Sequence, residues 1–453
     1  MSLIHSFVSQ NTALVSSVGL EEFTDGEKKL DVYVSSEPSV DEVVGEVAKC
    51  HLEQTEIARD GEHVREGIAA MEQYAALLDR GIENGGLPTE AILGMSVGIE
   101  GYQRLLEGEN AEPIIPSLEA FGGSGSKLEG AKDLAKKIWE WLKKAWDVSG
   151  RILKQLINKF KDMTVRSQVA IRKMATRAGE LSAKASSLAA SGATLSDDKK
   201  TLKVNNASKL MVANTFKGSD FDLTTDIVKA LCVQIPVNLT DFVINVTKAV
   251  NGYKPGDDSL PDVDFGNAFS KAFSENVKGD SRFNDKKVIV KRTFVFPGNQ
   301  AAYVTYPNAA EGDKMLSGQK LNILNVPGSK TENGSEQEIT VRTPGELKTD
   351  AERIGKILKI ALRNATVLDV LANRYKDLDE AGAKIKTNLK DKELDEGDRA
   401  NLKELQGLVD AATAMNSGVS GGMSYVLNLI NAQLSLVEKQ LAQYGAKEEK
   451  EDK

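Results

Sequence analysis

The first residues to weigh for chemistry are the three histidines, His5, His51 and His63, which all fall in the first 63 positions of a 453-residue chain. His51 and His63 stand among glutamates, twelve residues apart. A hydrolytic zinc site needs tighter, face-matched spacing, such as two histidines one helical turn apart. These histidines are therefore expected to be solvated helix residues. Residues 120–453 contain no histidine, which excludes Ser–His or Cys–His catalysis and histidine metal sites within that part. Cys50 and Cys232 give no disulfide framework, and Cys232, in an apolar run, reads as core rather than nucleophile. Gly122, Gly123 and Gly125 lack the Gly-Lys-Ser/Thr of a phosphate loop and follow no predicted strand. Asp257, Asp258, Asp262 and Asp264 do not match an EF-hand and read as a solvated acidic loop. The residue types nominate no catalytic group, metal or cofactor, and the chain is not expected to be an enzyme.

One stretch does suit a covalent event, cleavage of the chain itself. In Glu112 to Lys127, Pro113 and Pro116 disfavour helix in the residues before them, and Gly122, Ser124, Gly125 and Ser126 form a flexible strip after them. Ser117, Leu118 and Glu119 lie between these breakers, followed by Ala120. Proteases bind their substrates as extended strands, so an exposed segment without its own hydrogen bonds is what they require. The plainer alternative is an interdomain linker that happens to contain a glutamate.

The charge reverses across this break. Residues 1–119 hold 23 Asp and Glu against 7 Lys and Arg, a net of −16, and the remainder has a net of +8. Much of the positive charge is local, with 15 bases against 6 acids in residues 127–184. An acidic block joined to a basic one suggests a partner whose charge must be masked until the two separate.

The elements that must position these features follow from periodicity. Residues 1–39 are turn-rich. Val43, Val47, Ile57, Met71, Tyr74, Leu77 and Leu78 predict a helix over 41–80, and Pro88 opens a second helix carrying Ile92, Met95, Ile99 and Leu105, an acidic hairpin or small bundle over 41–108. After the break, Leu134, Ile138, Leu142, Leu153, Leu156, Phe160 and Met163 make an apolar stripe over 128–163. Its other faces hold Lys132, Lys136, Lys137, Lys143, Lys144, Arg151, Lys154, Lys159 and Lys161, and Trp139, Trp141 and Trp146 cluster within it. Ser149-Gly150 is placed to bend it. A second basic run follows over 165–188. The Trp/Lys helix can lie on a membrane surface, face nucleic acid, or pack on its own domain.

A polar break at 191–201 leads into an antiparallel sheet module over 201–343. Val233 to Val237 reads as extended, Leu239 to Val250 as strand or short helix, and Lys287–Phe296, Ala301–Tyr306, Leu321–Val326 and Glu338–Arg342 as strands. Helices return from Pro344, with a capping box at Thr349-Asp-Ala-Glu. A loop or hairpin tip is expected at 376–400, an interruption at Gly418–Gly422, and a last helix over 425–444. The fold class is α+β, mostly helical. The expected segments are an acidic leader (1–119), a basic amphipathic region (120–190), the sheet module (201–343), a C-terminal helical hairpin or bundle (344–445) and a charged tail (446–453). No stretch approaches 18 consecutive apolar residues, and the first residues lack the basic and apolar regions of a secretory signal.

An acidic helical leader ending in Ser117-Leu118-Glu119, ahead of a basic remainder, resembles the internal head proteins of large tailed bacteriophages of the T-even and phiKZ-like types. In those families the prohead protease removes an N-terminal propeptide by cutting after the glutamate of a small-x-Glu or Leu/Ile-x-Glu motif. The resemblance covers the leader and junction, about the first third of the chain. It implies a structural virion protein cut between Glu119 and Ala120, with secondary cuts after Glu21 (Gly19-Leu-Glu) and Glu100 (Gly98-Ile-Glu). The partners it implies are the prohead protease, other head core or capsid proteins, and non-specifically bound double-stranded DNA. The implied location is inside the phage head after synthesis in the bacterial cytoplasm, with ejection alongside the genome permitted. The alternative is a host-acting effector that uses helix 128–163 on a membrane surface.

Overall fold

The structure, a computed structural model, describes residues 38–83, 94–95, 97–99, 127–205, 207–256, 260, 263, 272–283, 288–307, 320–327, 336–389 and 396–445. Residues 39–453 belong to one compact unit. Long helices build its core, and a small antiparallel sheet packs against them, the mostly helical α+β class expected from the sequence.

Helix α1, Val40–Glu83, starts at a capping box: the Glu42 amide donates to Ser39 Oγ at 3.2 Å and the Ser39 amide to Glu42 Oε2 at 2.5 Å. Residues 94, 95 and 97–99 are also helical, and Gly98 backs onto the Tyr74 ring of α1. Helix α2, Lys127–Ala190, runs unbroken for 64 residues, about 96 Å at the α-helical rise. Ser149-Gly150 does not divide it, and the two expected basic runs are one helix. Its buried residues, Leu153, Leu156, Ile157, Phe160, Met163, Ala170, Ile171, Met174, Ala178, Leu181 and Ala185, recur every three or four positions. The helix stops where Gly192 turns left-handed, at φ +62°, and the Ala193 amide bonds back to the Leu188 carbonyl.

The segment expected to be extended at Val233–Val237 is helical. Helix α3 (Phe221–Val228) passes through a π turn (Lys229–Gln234) into α4 (Ile235–Gly252). Pro236 is the second residue of α4, directly after the π turn. Val233, Ile235 and Val237 are β-branched and Pro236 disfavours helix before it, which is why the segment resembled a strand. By length and composition the run Phe221–Gly252 could cross a membrane, a stretch the sequence reading did not find. In this fold Leu239, Phe242, Val243, Val246 and Val250 are buried in the core.

Among the described residues, eight short strands follow or interleave: β1 (Thr201–Val204), β2 (Met211–Val212), β3 (Thr215–Phe216), β4 (Glu275–Asn276), β5 (Val288–Arg292), β6 (Gln300–Pro307), β7 (Leu321–Asn325) and β8 (Gln337–Thr340). Strands β4-β5-β6-β7 form an antiparallel sheet, with Val290 opposite Thr305 and Ala302 opposite Ile323. Strand β8 instead pairs with β1, Leu202 opposite Ile339, and so joins the two ends of the module.

Helix α5, Pro344–Leu389, is capped by Thr343 and Glu346, whose side chains each accept from the other's amide. The capping box therefore lies six residues before the expected one, because Pro344 fits the first helical position. Helix α6 spans Glu396–Gly445. The expected loop at 376–400 shrinks to a short connection: Leu378, Ala381, Ile385 and Leu389 continue the buried face of α5 beneath an acid-rich surface. Gly418–Gly422 does not interrupt α6 either. A Cβ on Gly418 would lie 2.7 Å from the Leu321 carbonyl carbon, and one on Gly422 3.3 Å from Leu231. These glycines let β7 and the π turn approach the helix closely.

Candidate functional site

The arrangement with functional content is the seam where acidic α1 lies along basic α2 and reaches α6. Helix α1 carries 11 Asp and Glu against 4 Lys and Arg. Val43, Val44, Val47 and Cys50 of α1 share a hydrophobic cluster with Leu153, Ile157, Phe160 and Met163 of α2. Above this floor Glu46 accepts from Arg166 at 2.7 Å and Glu53 from Lys159 at 2.7 Å. Position rises along α1 as it falls along α2, so the helices run antiparallel and their opposite charges meet in register. Asp41 accepts from Asn431 of α6 at 2.6 Å, and Asp79 lies 3.6 Å from Arg399.

The hydrogen bond from Lys159 holds the Glu53 carboxyl below the usual carboxylate range and raises the Lys159 ammonium. Both side chains remain about one-third exposed, and surface pairs of this kind are worth roughly 0.2–1 kcal/mol. Burying one Val, Leu or Met side chain contributes about 1.5–3 kcal/mol. The apolar floor therefore supplies most of the attraction, and the ion pairs fix register and cover charge. Gln54, fully buried in the same helix, has no hydrogen-bond partner for either amide atom among the described residues. An unsatisfied buried polar group costs about 1–3 kcal/mol. Gln54→Leu is thus expected to stabilise the protein by about that amount, read as a higher urea midpoint.

Placement differs from expectation at His51. It is half-buried: its Nδ1 lies 2.9 Å from Ser420 Oγ, and its ring backs onto Gly421. Ser420 Oγ donates to the Ser417 carbonyl, so His51 Nδ1 carries the proton and donates to Ser420. Ser420 is 1% exposed inside α6, so its hydroxyl is not open to a substrate. Burial pushes the His51 pKa below its ordinary 6.5. A histidine with a depressed folded-state pKa favours the fold while neutral, and that contribution is lost as pH falls below about 6.5. Relative to His51→Gln, the native protein is expected to lose unfolding free energy between pH 7.5 and 5.5, as measured by urea titration of both proteins at both pH values; Asp350, whose carboxyl burial raises to about 6, titrates in this window in both and with the opposite sign. Glu53, already depressed, titrates below this window. His63 is exposed beside Glu66 at 3.7 Å, and His5 lies outside the described residues.

Among the predicted contact residues, Lys159 pairs with α1, Lys154 lies 3.7 Å from Asp379 of α5, and Arg151 and Lys161 are exposed. Lys132, Lys136, Lys137, Trp139, Trp141, Lys143, Lys144 and Trp146 lie on α2, but their side chains fall outside the described residues. So do Ser117, Leu118, Glu119, Ala120, Glu21, Glu100 and the acids at 257, 258, 262 and 264. Ile99, next to Glu100, is helical and fully buried. Among the described residues no group of three His, Cys, Asp or Glu could hold a metal ion. The sequence reading missed that the leader helix is a core element. The signal was the face Val43, Val47, Cys50 and Gln54, a stripe that needs a partner.

A sequence model of the phiKZ-like phage internal head proteins matches residues 35–439. No curated protein matches the chain, and no solved structure does.

Proposed function

Because the chain belongs to the phiKZ-like phage internal head proteins, structural components located inside the phage head, we propose that it is made as a precursor and cut between Glu119 and Ala120 during head maturation. The observation that carries this reading is the seam. The acidic leader contributes Glu46 and Glu53 to Arg166 and Lys159 of the basic helix, so two of its cationic side chains are engaged while the leader is in place. The Pro/Gly-bounded Ser117-Leu-Glu supplies a site at the point where net charge changes from −16 to +8. Once the acidic helix is gone, the basic body binds packaged double-stranded DNA through Lys and Arg contacts to phosphate, without sequence preference and with strong salt dependence. The prohead protease and other head core or capsid proteins are the partners in this scheme, and ejection with the genome is its last step. The buried stripe from Leu153 to Ala185 of α2 weighs against a lipid-facing role for that part of the helix.

N-terminal sequencing of the chain from mature particles tests the proposal. The expected first residue is Ala120, and Glu119→Gln is expected to leave the precursor uncut. Chains in mature particles that still begin at Met1 would overturn it.

A further inference from the structure

We propose that cutting the chain at Glu119 does not release the leader: residues 40–83 stay bound as a non-covalent helix, and unmasking of the basic helix is a separate, later step. This rests on the cleavage reading above only for the identity of the cut. Hydrolysis there adds one water, leaves a carboxylate on Glu119 and an ammonium on Ala120, and breaks none of the contacts described for α1. Helix α1 ends at Glu83, 36 residues before the scissile bond. Val43, Val44, Val47, Met71, Ala75 and Leu78 are each at most 4% exposed. The helix is pinned at both ends, by Asp41 to Asn431 and Asp79 to Arg399, and between them by the Glu46 and Glu53 pairs. A helix held along its length by a buried face and polar contacts at each end loses only the effective concentration that its tether supplied.

Further trimming is blocked by the same geometry. Every glutamyl bond within α1 lies in helical backbone, and Met71, ahead of Glu72, is fully buried. A protease that binds extended strands cannot reach these bonds until α1 leaves the body. Order follows: cut, then undocking, then degradation of the leader. DNA affinity should change at undocking and not at the cut.

The test uses the full chain with Ser117–Ala120 replaced by a tobacco etch virus protease site, cut after purification. Both fragments are expected to co-elute in equimolar amounts on size exclusion at physiological salt and to separate in concentrated guanidinium. Cut and uncut protein should bind a random-sequence duplex equally. A leader that elutes alone, or DNA binding that rises on cutting, overturns the proposal. The double variant Glu46→Lys/Glu53→Lys should weaken retention about tenfold, and adding Lys159→Glu/Arg166→Glu should restore it. Mass spectrometry of mature particles separates the two readings. Bodies starting at Ala120 together with 40–83 peptides support both. Bodies starting at Ala120 without those peptides support the cleavage with undocking already complete, and the engineered cut then decides retention. Uncut chains overturn the cleavage, and the engineered cut then decides retention alone.

Discussion

Phe160→Ala is expected to lower the unfolding free energy by about 3–5 kcal/mol, the usual range for truncating a buried aromatic residue. Phe160 is 1% exposed at the middle of the α2 stripe, in the core cluster to which α1, α4, α5 and α6 also contribute, so its truncation leaves a cavity inside the core. Urea unfolding with linear extrapolation measures the change. The same variant separates two uses of an amphipathic helix. A stripe that faced lipid would lose liposome binding on this truncation and keep its stability in water. A stripe that is core loses stability with no lipid present, and that is the expected result.

Gly418→Ala should destabilise by roughly 2–3 kcal/mol, the cost of overpacking a close contact. The sign is the informative part. Alanine is a better helix former than glycine by about 1 kcal/mol, and Gly179→Ala, an exposed position in α2 where a Cβ meets nothing within 4 Å, should stabilise accordingly. At Gly418 the new methyl would instead press on the backbone and side chain of Leu321 in β7. Either the strand or the helix must shift, and the four-stranded sheet loses its seat on α6. Thermal unfolding of the two variants side by side is expected to move the midpoint in opposite directions.

That contrast bears on what the sequence could reveal. A glycine run inside a helical period reads equally as a break or as a close crossing, and only the element facing it decides. Leu321 and Leu231 face it here, 97 and 191 residues earlier in the chain. The strands from Val288 to Asn325 were legible because alternation and turn residues are local signals. The π turn and α4 were not, since the β-branched residues around Pro236 are local signals of extended chain. The capping box was misplaced because Thr-x-x-Glu occurs twice within ten residues and the choice turned on Pro344. For the candidate site, the charge reversal and basic helix were evident from composition, and the helicity of α1 from Val43, Val47 and Met71. The pairing of Glu46 with Arg166, and of His51 with Ser420, was not. An amphipathic face announces that something covers it, and charge alone does not say which of several helices does.

The contacts between α1 and α6 also set a schedule for synthesis. Asp41 meets Asn431, so α1 finds its final partner 390 residues later in the chain. At roughly 5–20 residues per second the wait is about 20–80 s. During that interval the basic helix, once made, has the acidic helix beside it, so its Lys159 and Arg166 can be covered before α5 and α6 exist. The nascent chain thus carries its own counter-charge from early in synthesis.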